Sequence, residues 1–506
     1  MIFNSFGKRM NFAVIVYTQK RLKNRSSTHW SVLAKKKFPK DKALEHFDDF
    51  YKTVYGKKWP SIRLALLSPH KYCALVNNFG DTEDILKHFQ NQGALNVRSL
   101  FELEDDRIKE DRRLKMRQKE MGIIHRLDQE TESMLLKTVQ EEANRDDSGD
   151  AVVESSPDPE PALEDIVSET SESHPLSLSA ILSKAEFDVE RLIDPSVGLS
   201  ASTLHEFVPA TKLKGLEEMI PESDHYRYYS KDADFPVKSV KEHILPFPPY
   251  LQVLAYERGN ITSFPSPRRA STGVFNYYLL VGCSLLPVLA LGLGPGDRVL
   301  DMCAAPGGKS LAVLQTLYPE LLVCNDVQES RVKRIRSVFD QYLYDLPKWQ
   351  DRLRITQEDG RCINEQDVYN KILVDVPCTT DRHVLHENDN NIFKSTRIKE
   401  RLRLPEIQAD LLCNALKLVC PGGTVVYSTC SLSPIQNDGV VHMALRRIWQ
   451  ETNIELVVSD LAPALQQTQV LFKLGNNVGL KYGHLVLPFL PANFGPMYFC
   501  KIVRVK

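Results

Sequence analysis

The stretch "RVLDMCAAPGGKSLAVLQTLYPELLVCND", residues 298–326, decides the fold. An apolar run, "RVLDMC", ends in a turn that carries two glycines. An amphipathic stretch, "GKSLAVLQTLY", follows, and a second apolar run, "ELLVCND", closes the unit. Short apolar runs without polar alternation read as strands buried on both faces. The alternation continues downstream. "ESRVKRIRSVFDQYL" predicts a helix, "RLRITQED" and "YNKILVDV" strands, "EIQADLLCNALKLVC" a helix and "GTVVYSTC" a strand. Strands separated by helices predict an α/β fold with a doubly wound, mostly parallel sheet.

In open α/β sheets, ligands bind at the carboxyl ends of the strands. The turn "CAAPGGKS" is therefore a candidate cofactor loop. Gly307 and Gly308 lack a Cβ, so a ligand can approach their backbone, and N–H groups at the helix start face a carboxylate or phosphate. "GKS" fits the end of a phosphate-binding loop, and "ILVD" could pass for its acidic metal strand. However, the first glycine of that motif would fall at Cys303, and "AAP" makes a poor phosphate cradle. A nucleoside cofactor instead needs an acidic residue about 20 residues on, at the end of the second strand. Asp326 stands there. Asp359-Gly360 ends the third strand and Asp375 the fourth, so one rim gathers a ligand cleft. Alone, each would read as an ordinary loop residue.

Two cysteines share that rim. Cys378 follows "ILVDVP" and Cys430 follows "VVYST". A buried cysteine is more often a small hydrophobe than a nucleophile. A thiolate at a cofactor rim can nonetheless add to an electron-poor carbon such as C6 of a pyrimidine. That addition makes C5 enamine-like and able to attack a methyl group. The residues themselves do not rank the two sulfurs.

The rest of the chain sets the frame. At 506 residues, two or three domains are expected. Ten cysteines without CxxC or zinc-like spacing read as reduced thiols. Residues 1–40 hold ten basic and no acidic residues, the composition of a mitochondrial transit peptide or of a basic RNA-binding tail. Residues 41–100 read as a helical extension. Residues 101–235 read as a charged, largely disordered insert, with a solvated helix over 101–140 and a Ser/Glu/Asp/Pro-rich part over 141–200. From about residue 236 the character changes, and residues 236–506 read as a further domain. The uncharged stretch before Asp297 approaches a membrane span in length, but Pro287 and several glycines interrupt it. It reads as a buried helix, with no membrane insertion. The folded part is near neutral, so nucleic-acid binding would need a local patch or a helper.

"DMCAAPGGK", "DVPCTTDRH" and "YSTCSLSPIQND" together resemble the Nop/Sun family of S-adenosylmethionine-dependent RNA (cytosine-5) methyltransferases. The resemblance covers about residues 236–506. The wording of "WPSIRLALLS", "KYCALVNNF", "NNIFK" and "ANFGPMYFCK" is similar to the branch acting on mitochondrial small-subunit ribosomal RNA. The resemblance implies a Rossmann-like class I fold and S-adenosyl-L-methionine as cofactor. It implies Gly307, Gly308 and Lys309 at the cofactor's methionine end, and Asp326 with Arg331 at the ribose. Asp359 and Gly360 would contact the adenine, and Asp375 would line the methyl-transfer site. Cys430 would be the nucleophile and Cys378 would help release the product. The implied partners are ribosomal RNA and a helical-repeat protein of the mitochondrial termination-factor family, and the implied place is the mitochondrial matrix. Against methylation stand two other readings, a ribosome-assembly scaffold whose catalysis is dispensable and a phosphate-loop ATPase. The intact cysteine pair opposes the first and Cys303 the second.

The composition of residues 141–200 predicts no core contacts, and long surface insertions carry small closure costs. Deleting them is expected to leave methylation nearly unchanged. A large fall in turnover or melting temperature would show that the segment is structural.

Overall fold

The structure, a computed structural model, describes residues 38–146, 235–475 and 478–506. All but the last three residues of the transit segment expected over 1–40, and most of the insert expected over 101–235, lie outside the described residues.

Helix α1 (Pro39–Tyr55) starts on a proline, whose missing N–H matters little in a first helical turn. Its inner face buries Phe47, Phe50, Tyr51 and Tyr55. Helix α2 (Trp59–Leu67), strand β1 (Tyr72–Val76), helix α3 (Thr82–Asn91) and strand β2 (Leu95–Asn96) follow. Helix α4 (Val97–Asp146) then runs for 50 residues. Charged pairs one turn apart support it, including Lys109 with Asp105 at 2.6 Å. One expectation changes here, since the extension over 41–100 contains strands as well as helices. The helix expected over 101–140 is present as part of α4.

Strands β3 (Lys238–Lys241), β4 (Val253–Ala255) and β5 (Tyr277–Val281) come next. β1 lies antiparallel between β4 and β5, with Ala74 opposite both Leu254 and Leu279, and β2 pairs with β4. The result is a four-stranded sheet in the order β2-β4-β1-β5. The uncharged stretch expected to be one helix is therefore split. "YYLLV" joins this sheet, because β1 offers it a free edge, and only the short helix α5 (Leu285–Ala290) follows. The boundary expected at residue 236 is not a boundary in the fold, since strands from both sides of it share one sheet.

The main sheet takes β3 at one edge and continues with β6 (Arg298–Asp301), followed by α6 (Gly308–Gln315), β7 (Leu321–Asn325), α7 (Glu329–Tyr342), β8 (Leu353–Thr356) and β9 (Tyr369–Asp375). Then come α8 (Asp381–His386), α9 (Ile398–Leu418), β10 (Val419–Thr429), α10 (Val440–Glu451), β11 (Leu456–Asp460), β12 (His484–Val486) and β13 (Met497–Arg504). The strand order is β3-β11-β13-β10-β9-β6-β7-β8, with β12 beside β13. β10, β9, β6, β7 and β8 are mutually parallel, and β13 runs antiparallel to β10 and β11. The doubly wound, mostly parallel expectation holds.

Alternate residues of each central strand enter different cores. Leu300, Ile372, Val374, Val425 and Tyr427 pack on the face covered by α1, α9 and α10. Val299, Leu373 and Val426 pack on the face covered by α5, α6 and α7. Burial on both faces is why these strands show no polar alternation. Among the described residues, no helix is long and apolar enough to cross a membrane.

Asn77, just past β1, joins the small sheet to the main domain. Its amide donates to the carbonyls of Phe275 and Tyr342, both at 2.8 Å, and its oxygen accepts from Gln315 at 2.8 Å. Asn77→Ala would strand these buried partners. Each orphaned group typically costs ~1–3 kcal/mol, so a loss of about 2–3 kcal/mol is expected in urea melts. A loss below about 0.5 kcal/mol would show that the junction holds by other means.

Candidate active site

The order of the main sheet reverses between β6 and β9, which have β7 on one side and β10 on the other. The carboxyl ends of these strands open onto a cavity of about 1060 Å³. Gly308, Lys309, Arg331, Asp375, Cys378 and Cys430 all line it.

The two cysteines meet because of strand register. Asp375 of β9 lies directly opposite Ser428 of β10. Each chain then leaves its strand into a short loop, bringing Cys378 and Cys430 side by side with their sulfurs 3.2 Å apart. All ten cysteines are free thiols. The hydrogen bond with Cys378 pushes the Cys430 thiol well up, and burial and the nearby Asp375 add to this, while Lys309 opposes it.

Asp375 is tied down at both oxygens. Lys309 donates to one at 2.6 Å and Ser428 to the other at 2.7 Å. Burial alone would lower the Lys309 ammonium, but Asp375 holds it above its ordinary value. Lys309, expected at the cofactor's methionine end, thus has its charge engaged with Asp375.

Gly307 caps α6 with φ +108°, a left-handed conformation that favours glycine. Gly308 starts the helix. A Cβ there would come within 2.9 Å of the Tyr278 ring, which also lines the cavity. Asp326, just beyond β7, is buried and pairs with Arg331 at 3.0 Å. Arg331 also donates to the Ala305 carbonyl at 3.0 Å. Asp326, Asp359 and Gly360 stand outside the cavity lining. Asp359 is engaged by Arg361, which draws its carboxyl below the usual range. Gly360 lies beneath Leu411 and Met302, where a Cβ would come within 2.7 Å and 2.8 Å of them. Its glycine is therefore explained by packing.

Sequence reasoning missed two carboxylates. Asp301 ends β6, and burial pushes it up to about 7 although Ser310 donates to one oxygen at 2.5 Å. Its other oxygen is buried without a hydrogen-bond partner. Its place at a strand end, like that of Asp375, could have flagged it. Asp381, three residues after Cys378, is fully buried. Apart from Thr379, two residues away, its partners lie far off along the chain, and nothing local in the sequence signals them.

These features suit S-adenosylmethionine. Gly308 leaves room for close approach beside Tyr278. Asp301 keeps an unpaired acceptor, and Asp326 offers a buried carboxylate next to Arg331 for a ribose.

Residues 288–485 match the family described as 16S rRNA methyltransferase RsmB/F. The 5-cytosine rRNA methyltransferase nsun-4 of Caenorhabditis elegans is 35% identical over 482 residues, 93% of this chain and 93% of that one. The 5-cytosine rRNA methyltransferase NSUN4 of Bos taurus is 34% identical over 501 residues, 98% of this chain and 96% of that one. The mitochondrial tRNA (cytosine(34)-C(5))-methyltransferase of Danio rerio is 40% identical over 231 residues, 45% of this chain and 61% of that one.

Gly308→Asp is expected to abolish S-adenosylmethionine binding without unfolding the chain. The new side chain must displace the Tyr278 ring and puts a negative charge in the cleft, while an acidic residue suits a first helical turn. Calorimetry should show affinity weakened at least ~10-fold, about 1.4 kcal/mol. Ordinary affinity in a folded mutant would refute this placement of the cofactor.

Proposed function

The chain belongs to the RsmB/F (Nop/Sun) family of S-adenosylmethionine-dependent RNA (cytosine-5) methyltransferases, and on that premise we propose that it methylates C5 of a cytosine in mitochondrial small-subunit ribosomal RNA through a transient Cys430–C6 bond. The observation that carries this reading is the pair of thiols, 3.2 Å apart, on the wall of the cavity.

S-adenosylmethionine supplies an electrophilic methyl group when bound. Gly307, Gly308 and Lys309 would hold its methionine end, Asp326 and Arg331 its ribose, and Asp359 and Gly360 its adenine side. For Gly307, Asp326, Asp359 and Gly360 this requires the cavity to extend past its present lining. The remaining work belongs to the chain. Cys430 bonds to C6 of the cytosine and raises the electron density at C5. Its thiol is held protonated, so attack requires that proton to pass to solvent and should speed up as pH rises. Asp375, fixed by Lys309 and Ser428, presents a rigid acceptor to the exocyclic face of the ring. After transfer, Cys378 acting as a thiolate takes the proton from C5, the C–H electron pair re-forms the C5–C6 double bond, Cys430 leaves as a thiolate and the RNA departs. The target base must be unstacked to reach this depth, which favours a loop or splayed region of the RNA.

The relatives' names support ribosomal RNA as the substrate class, and mitochondrial methyltransferases are among them. We assign the enzyme to the matrix, with a role in assembly of the mitochondrial ribosome. The formal net charge of the chain is −1, so a helical-repeat protein of the mitochondrial termination-factor family would supply RNA affinity.

The two cysteines are expected to fail in opposite ways. Cys430→Ala should give neither product nor adduct. Cys378→Ala should accumulate a protein–RNA complex that survives a denaturing gel. A trapped complex from Cys430→Ala would reverse the roles, and full turnover by both mutants would remove the covalent mechanism.

A further inference from the structure

Asp381 opens helix α8 and is fully buried. Its carboxylate accepts four hydrogen bonds. One oxygen receives the Thr379 hydroxyl and the Ser431 hydroxyl, the latter at 3.1 Å. The other receives the Tyr51 hydroxyl at 2.6 Å and the Leu432 amide at 2.7 Å. Thr379 directly follows Cys378, and Ser431 and Leu432 directly follow Cys430. One anion therefore ties together the two loops that carry the two sulfurs. The Thr379 and Ser431 hydroxyls also meet each other at 2.9 Å.

The fourth donor comes from helix α1, 330 residues away along the chain. α1 holds the same place twice, because Tyr55 donates to the Leu432 carbonyl at 2.6 Å. None of these groups lines the cavity, so none is placed to touch a bound base. Their chemistry suits restraint. An ionised carboxylate can accept at four or more positions, whereas an amide gives up one oxygen to a donor. A buried network of this kind is stiff when every member is satisfied.

We propose that Asp381 is a positioning residue that fixes the separation of the Cys378 and Cys430 sulfurs, with Tyr51 making the N-terminal extension part of that restraint. This rests on the reading that Cys430 attacks and Cys378 releases. Two sulfurs that serve adjacent carbons of one ring must be held relative to each other as well as to the ring. A loosened pair would still allow attack but would mistime release.

The test uses Tyr51→Phe, which removes only a hydroxyl, together with Asp381→Asn and Asp381→Glu in the full chain. Turnover is measured with S-adenosylmethionine affinity, melting temperature and adduct on denaturing gels. The expected result is a kcat lowered about tenfold by Asp381→Asn and several-fold by Tyr51→Phe. Cofactor affinity should stay within about twofold, and adduct should build up as in Cys378→Ala. Asp381→Glu should recover part of the loss. A second measurement reads the spacing directly. Phenylarsine oxide bridges two neighbouring thiols, forming two arsenic–sulfur bonds and releasing water. It should bridge Cys378 and Cys430 in the parent chain, fail in Cys378→Ala, and bridge several-fold more weakly in Tyr51→Phe. Parental kcat and parental arsenical capture in a folded Tyr51→Phe would overturn the proposal, even if Asp381→Asn does not fold. Arsenical capture does not depend on the catalytic roles. If Cys430→Ala and Cys378→Ala both turn over normally, the mechanism fails while the spacing restraint is still measured.

Discussion

Strands β9 and β10 lie parallel with Asp375 opposite Ser428, and the chemistry of the site depends on that register. A slip of one residue would send every side chain of one strand to the wrong face, because strand side chains alternate. Both faces are buried here, so such a slip would put Tyr427 where Val426 packs. Core packing thus fixes the register, and the register fixes where the chain leaves each strand. The meeting of two sulfurs at the rim is a consequence of hydrophobic burial some residues earlier.

The same rim concentrates charge. Lys309 and Asp375 form a mostly buried ion pair, and a pair of this kind usually contributes little net stability. Its value lies in geometry. With Ser428 on the other oxygen, the Asp375 carboxylate has one orientation, and the Lys309 ammonium is set against the rise of the Cys430 thiol. Asp301, pushed up to about 7 by burial, completes a cluster in which each acid has its own environment.

Much of this was legible in the sequence, for identifiable reasons. The strands from Arg298 to Thr429 announce themselves because burial on both faces leaves continuous apolar runs, and the acidic strand ends stand out against them. The small sheet was hidden. "YCALV" and "YYLLV" are short, sit in helix-like surroundings, and become strands only because they meet each other. Gly360 also packs against Leu411 and Met302, a constraint that no local pattern announces. Lys309 carried the right charge at the right turn, yet its partner is the end of another strand. The links of Asp381 to Tyr51 and to the Cys430 loop were equally out of reach, since linear spacing says nothing about contacts closed across the fold.

The pairing of β1 with β5 also bears on how the chain reaches its final shape. β1 is synthesised well before the strand that covers its edge, as Val76 waits for Tyr277 and Tyr72 for Val281. Until then it presents an apolar, unsatisfied edge, the kind of surface that invites mispairing. Contacts between distant parts of a chain form slowly, and late closure of this sheet makes the intermediate a natural client for chaperones. Because α1 reaches the catalytic loops from the same end of the chain, a molecule whose N-terminal extension has not docked would also lack the Tyr51 hydrogen bond to Asp381.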